Sequence, residues 1–353
     1  MLAVVLFFSV DASAVSAESY VLMDATTGRI LCEKNADKQS LIASTTKIMT
    51  ALVICQQCNV LDRVKIPKEA VGIEGSSMYL QEGEVLTVQD LLYGLMLRSG
   101  NDAATALAIY CGGTVEGFAE MMNDKARSLN LADTHFVNPH GLDAPGHYST
   151  ARDLAVLAAY AMDDPIFAQT VRTKQVTIGS RSLTNHNKLL WQLDGAEGVK
   201  TGYTKAAGRI LVSSATRQGR RLVAVTINAP DDWQDHKSLM DSGFSDYEVC
   251  RLIQAGETMG VLPVAGGTSC SVTLLAAESF DYALNKNEQP TFYISGTGFV
   301  YAPVTEGADA GVLYVMLNEK CIGKIPLVYG QTIELEPTER VPFWKRLLGG
   351  KGK

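Results

Sequence analysis

Residues 41–57 read LIASTTKIMTALVICQQ. From Ser44 onward, Ile48, Met49, Ala51, Leu52 and Val53 recur at helical spacing and form one apolar stripe, so a helix is expected to open at Ser44. A hydroxyl there sits near the positive end of the helix dipole and its unpaired N–H groups. Lys47 lies one turn on, along the same face. A serine and a lysine so placed make a nucleophile and its base, provided the amine is neutral. Burial and a second nearby cation both push a lysine toward that state. Alone, the pair is weak, because Ser44 also fits a plain N-cap and Lys47 a solvated helix lysine.

Two further strings strengthen it. Ser99-Gly100-Asn101 follows the predicted helix Gln89–Leu97 and falls at a loop. A short hydroxyl and an amide there can pass a proton and hold a substrate amide. The bland alternative is a helix end, with Asn101 or Asp102 capping the next helix. Lys200-Thr201-Gly202 leads into a strand. Gly202 leaves room for a substrate backbone, and an exposed strand edge pairs with an extended peptide. Lys200 is then the second cation. Each string alone is short enough to arise by chance, but all three in this order at structural breaks point to catalysis.

The rest of the chain frames these strings. Tyr20–Cys32 alternates and turns at Asp24–Gly28, as a β-hairpin does. Helical periodicity covers Gln89–Leu97, Asp102–Tyr110, Val115–Leu129 and Ala151–Met162. Arg209–Thr216 and Arg221–Asn228 form a second hairpin around Gln218-Gly219. Helices inserted between β segments predict an α/β layer domain over residues 18–250. Beyond it, short β-like runs at Cys270–Leu275, Thr291–Ile294, Val312–Leu317 and Ile322–Val328 predict an all-β, sandwich-like module over 251–336.

The termini differ in kind. Leu2–Val10 is apolar but too short to span a bilayer, and Ala12-Ser13-Ala14 and Val15-Ser16-Ala17 follow it. That is the pattern of a signal peptide over residues 1–17, and so of an exported protein, although a charged n-region is missing. Glu339–Lys353 carries five basic residues and one acid around Phe343, Trp344, Leu347 and Leu348. This basic amphipathic tail (337–353) suits an anionic membrane surface as well as a solvated end.

Composition excludes several classes. The chain is 46% hydrophobic and 20% charged with a net charge of −7, which fits a globular protein and gives no footprint for nucleic acid. The seven cysteines are odd in number and scattered. Cys55-Gln56-Gln57-Cys58 has no second pair at zinc-site spacing. His135, His140, His147, His186 and His236 form no tight metal string, so neither a metal site nor a cofactor is expected.

The three strings together resemble the low-molecular-mass penicillin-binding D-alanyl-D-alanine carboxypeptidases, serine peptidase family S11. Gly75-Ser76-Ser77, Asn138–Asp143, Ser149–Leu154, Asn185–Trp191 and Gly198–Thr204 are similar to stretches typical of that family. The resemblance implies a serine β-lactamase/penicillin-binding-protein-like catalytic domain with an inserted helical region, plus a C-terminal all-β domain. It implies Ser44 as nucleophile, Lys47 as general base and Ser99 as proton relay. Asn101, Lys200, Thr201, Gly202 and Tyr203 would bind substrate, with Lys200 and Thr201 facing its carboxylate and also holding the Lys47 pKa down. The N–H groups of Ser44 and Tyr203 would form the oxyanion hole. Peptidoglycan stem peptides are the implied substrates and β-lactams the implied covalent inhibitors. Some members bind the terminal carboxylate with an arginine beyond the second hairpin strand. Here that stretch, Asn228–His236, contains none.

Three rival functions share parts of this pattern. A β-lactamase of the class A type needs a glutamate-activated water, but Ala126 stands where the acid would precede Asn130. A DD-endopeptidase differs only in its leaving group. A non-catalytic wall-binding protein would have no need of three complete motifs.

Overall fold

The computed structural model describes residues 15–337, and the chain divides into two units at Tyr247/Glu248. In the first unit, β1 (Ser19–Asp24) and β2 (Ile30–Lys34) make the N-terminal hairpin. Helix α1 (Lys47–Gln57) follows. A small hairpin of β3 (Arg63–Lys65) and β4 (Val85–Thr87) leads to α2 (Val88–Leu97), α3 (Asn101–Gly112) and α4 (Val115–Ser128). Next come α5 (Ala151–Ala161), α6 (Pro165–Arg172), the hairpin β5 (Gln175–Ile178) and β6 (Arg181–Thr184), and the short α7 (Leu189–Gln192). Strands β7 (Ala196–Thr204), β8 (Gly208–Arg217) and β9 (Arg220–Ile227) precede α8 (Asp232–Asp246).

The main sheet has the order β2-β1-β9-β8-β7, so the chain's first hairpin and its later strands meet only in space. Every pairing in it is antiparallel, and β7 lies at an edge. Both faces of β1 and β9 are buried, as the unbroken apolar runs require. Val21, Met23, Val223 and Val225 join the core of the helical region on one face. Leu22 and Leu222 meet α8 on the other, where a Cβ on Gly243 would lie 2.7 Å from both side chains.

Local sequence sets the helix starts. Thr87 and Asp90 form a capping box on α2, while Thr114 and Thr150 accept hydrogen bonds from Gly117 N and Asp153 N. Asp164 caps α6 ahead of Pro165.

One start differs from expectation. The α-helix opens at Lys47 rather than Ser44, because residues 43–46 form a 3₁₀ turn. The hydroxyls of Thr45 and Thr46 explain it: they donate back to Ile42 O (2.6 Å) and Ala43 O (2.8 Å) and tighten the backbone into an i to i+3 turn.

The second unit contains no helix among the described residues. Its strands are β10 (Tyr247–Ile253), β11 (Thr258–Ala265), β12 (Ser271–Ala276), β13 (Phe280–Asn285), β14 (Thr291–Ser295), β15 (Val300–Tyr301), β16 (Asp309–Leu317) and β17 (Lys320–Tyr329). Six of them form one sheet, β14-β16-β17-β12-β11-β15, and β10 pairs with β13 in another. Ile253 shares a core with Val272, Leu274, Val315 and Leu327. The residues described include no helix long and apolar enough to cross a membrane. The tail from 338 and the apolar start (1–14) lie outside the described residues.

Candidate active site

Ser44 sits within the 3₁₀ turn just ahead of α1. The residue before it, Ala43, has φ +44°, a left-handed conformation that strains a residue bearing a Cβ. Two contacts hold it there. The Thr46 hydroxyl donates to Ala43 O and accepts from His147 Nε2 at 2.8 Å. Val137 N donates to His147 Nδ1 (3.2 Å), which leaves the imidazole proton on Nε2 and keeps the ring neutral. Burial, with His135 and Lys47 adding to it, pushes the His147 pKa down to about 4. Gly141 is the second support: at φ +87°, a Cβ there would lie 1.9 Å from Ala43 O.

Lys47 is fully buried. Its Nζ lies 3.0 Å from Ser44 Oγ, 2.7 Å from Asn101 Oδ1 and 2.5 Å from His140 O. Asn101 Nδ2 donates to Glu74 O (2.6 Å), which fixes the amide with its oxygen toward Lys47. Both carbonyl oxygens can only accept. A neutral amine has two N–H groups and one lone pair, so the two donors go to the carbonyls and the lone pair faces Ser44. Burial first, and then the positive Lys200, push the Lys47 pKa well below its ordinary value, while Asp102 opposes them. The structure therefore favours the neutral form that a base needs.

Arg98, Ser99 and Gly100 form the link between α2 and α3. Ser99 is buried with φ +61°, and Gly100 is the N-cap of α3. Asn101 and Asp102 therefore do not cap that helix, and their side chains are committed elsewhere. Asp102 accepts from Ser77 Oγ (2.6 Å) and from Met78 N and Leu80 N (both 3.1 Å). Asn101 N donates to Ser76 O at 2.7 Å. These bonds tie the 75–80 segment beside the serine.

Strand β7 supplies the third wall. Gly202 passes so close to the turn that holds Ser44 that its Cβ would lie 3.3 Å from Ser44 N and from Ile42 O. Lys200 is buried rather than open, and its Nζ donates to Thr201 O at 2.8 Å. Burial lowers its pKa to about 7. Ser44, Ser99, Thr201, Gly202 and Tyr203 line one cleft of about 310 Å³. The three motifs are thus brought together, with Lys47, Asn101 and Lys200 beneath the cleft floor.

His186, close to Lys200 in sequence and expected in the cleft for that reason, also lines it. Ser76, Arg209, Asp232 and Trp233 line it too and were not legible as cleft residues in the sequence. Burial, Lys200 and Arg98 push the His186 pKa down to about 4, so this ring is neutral at neutral pH. Arg209 and Asp232 form an ion pair at 2.6 Å. The role of His140 comes from its backbone oxygen, which no side-chain pattern signals. His236 points away, buried between Ser213 Oγ (2.6 Å) and Thr226 Oγ1 (2.9 Å). The described residues include no group of three or more His, Cys, Asp or Glu side chains that would hold a metal ion.

The chain as a whole is similar to a set of known proteins. Residues 247–335 match the family described as penicillin-binding protein 5, C-terminal domain. The D-alanyl-D-alanine carboxypeptidase DacC of Escherichia coli K12 is 35% identical over 345 residues, covering 92% of this chain and 86% of the relative. The D-alanyl-D-alanine carboxypeptidase DacF of Bacillus subtilis 168 is 30% identical, covering 94% and 89%. The crystal structure of penicillin-binding protein 5 from Haemophilus influenzae superposes with a TM-score of 0.79 at 32% identity, over 91% of this chain and 98% of that one. With residues 7–231 matching the D-alanyl-D-alanine carboxypeptidase model of peptidase family S11, the chain belongs to that family.

Proposed function

We propose that this serine-type D-Ala-D-Ala carboxypeptidase removes the last D-alanine from peptidoglycan stem pentapeptides through an acyl-enzyme on Ser44. The observation that carries this reading is the buried Lys47 amine, 3.0 Å from Ser44 Oγ and held against Asn101 Oδ1 and His140 O. Lys47 takes the serine proton as Ser44 attacks the penultimate carbonyl. The N–H groups of Ser44 and Tyr203 receive the developing oxyanion. Ser99 passes the proton to the departing D-alanine nitrogen, and Asn101 orients both Lys47 and the substrate amide. Thr201 and Gly202 seat the peptide on the β7 edge, and Lys200 keeps Lys47 neutral. Water then resolves the ester. β-Lactams acylate the same serine and block it.

The test is a purified-enzyme assay on a pentapeptide ending in D-Ala-D-Ala. Release of one D-alanine per peptide supports the reading, whereas cleavage of cross-linked dimers at an equal rate favours an endopeptidase.

The enzyme works outside the cytoplasm in this reading, with the first residues removed on export. Of the two small-residue sites, cleavage after Ala14 fits the fold better than cleavage after Ala17. Ser16 donates through N (2.9 Å) and Oγ (2.7 Å) to Asp235, and Ala17 is fully buried, so a cut at 17 would discard those contacts. The basic tail then rests against the anionic membrane surface. N-terminal sequencing of exported protein, and vesicle binding with and without residues 338–353, check both points.

A further inference from the structure

The carboxypeptidase reading leaves open what recognises the substrate's free C-terminus. The scissile carbonyl and the terminal carboxylate are separated by one nitrogen and one Cα, so the two carbons lie within about 4 Å. The recognising group must therefore share the cleft of Ser44. Among the described residues lining that cleft, the basic ones are His186 and Arg209. His186 is neutral at neutral pH. Lys200, expected at the carboxylate from the sequence, is instead buried and turned to Thr201 O. Arg209 keeps 43% of its side chain exposed.

The sheet aims Arg209 at the substrate. It pairs with Tyr203 across the β7–β8 ladder, and directly opposed residues project from the same face. Thr201 is the diagonal neighbour, about 7–8 Å away along that face. The side chain is also seated from behind. One Nη donates to Asp232 Oδ1 at 2.6 Å, and the guanidinium lies 5.9 Å from the Trp233 ring centre. Asp232 is almost fully buried, so it anchors the fork without presenting much charge to solvent. A guanidinium has five N–H donors in a planar fork, and this single bond leaves others for a carboxylate. Asn228–His236 thus contains no arginine but supplies, in Asp232 and Trp233, the seat for one from the neighbouring strand.

We propose that Arg209, held by Asp232 and Trp233, binds the terminal carboxylate and sets the preference for a free C-terminus over an amidated or cross-linked one. The assignment rests on the carboxypeptidase reading above. The experiment measures kcat/KM on a D-Ala-D-Ala pentapeptide and on the same peptide amidated at its C-terminus. The readout is the acid-to-amide ratio within each enzyme, which cancels any loss of folded protein. In the wild type the acid is preferred. Arg209→Gln lowers the ratio by about 10- to 100-fold, the usual cost of a lost charged hydrogen-bond partner. Arg209→Lys keeps part of it, because charge remains without the fork. Asp232→Asn weakens the seat without removing the guanidinium and moves the ratio the same way by a smaller factor. Should Arg209→Gln fail to fold, this variant and Arg209→Lys carry the test. An active wild type whose ratio is unchanged in these variants overturns the assignment alone. A wild type inactive on both peptides overturns the carboxypeptidase reading and the assignment with it.

Discussion

Lys47 Nζ lies 3.0 Å from Ser44 Oγ, and its two other partners, Asn101 Oδ1 and His140 O, can only accept. That arrangement seats the amine within proton-transfer distance of the hydroxyl, and the lowered Lys47 pKa suits it to act as the base. Lys47→Ala is therefore expected to lower the rate of penicillin acylation by about 10²–10⁴-fold, the usual contribution of a positioned base. Stopped-flow acylation at neutral pH measures it. A rate within about threefold of wild type would remove Lys47 from the mechanism.

The two lysines predict a bell-shaped pH profile for kcat/KM. Activity rises as Lys47 loses its proton, at a pKa well below the ordinary lysine value. It falls as Lys200, with a pKa near 7, loses the charge that keeps Lys47 neutral. Because the lysines interact, the two limbs belong to the pair. Lys200→Arg carries a permanent charge and is expected to shift the alkaline limb upward, at a lower maximal rate. An alkaline limb that stays in place would assign it to another group.

How much of this was legible in the sequence follows from which interactions are local. The Ser44–Lys47 spacing, the β1–β2 and β8–β9 hairpins and helices α2, α4 and α5 depend on neighbours in the chain, and periodicity reveals them. The 3₁₀ turn at 43–46 was hidden because its cause is two threonine hydroxyls that read equally well as helix surface. Arg209 was visible as a strand residue, but its place in the cleft depends on pairing with Tyr203 and on Asp232 beyond the next strand. Backbone groups such as His140 O have no sequence signature at all.

Gly141 is predicted to be intolerant of any side chain. Gly141→Ala adds a Cβ 1.9 Å from Ala43 O, at φ +87°. The expected loss is about 2–5 kcal/mol of stability from strain and overpacking combined. Gly113→Ala is the control: its φ is +76°, but nothing lies within 4 Å of the added Cβ. It should cost only about 1–2 kcal/mol. Urea unfolding of the two variants separates the effects, and equal losses would mean that Gly141 does not buttress Ala43.

His147 predicts an acid-side loss of stability. Its folded pKa is about 4, below the ordinary 6.5, so the unfolded chain binds the proton more readily between those values. Stability is full above about pH 6.5 and declines as pH falls toward 4, by at most about 3 kcal/mol from this residue. His147→Gln retains an amide donor for Thr46 and does not titrate, so its stability should vary less over that window. Chemical denaturation at several pH values tests this, and parallel curves for the two proteins would refute it.

Acylation of Ser44 itself is measured by adduct mapping. Wild-type enzyme is incubated with benzylpenicillin, digested and mapped by tandem mass spectrometry, alongside Ser44→Ala. One penicilloyl adduct, on Ser44, is expected in the wild type. None is expected in Ser44→Ala, whose fold persists because Ser44 makes no side-chain cap on α1. An adduct on another serine, or labelling that survives in Ser44→Ala, would contradict Ser44 as the acylated residue.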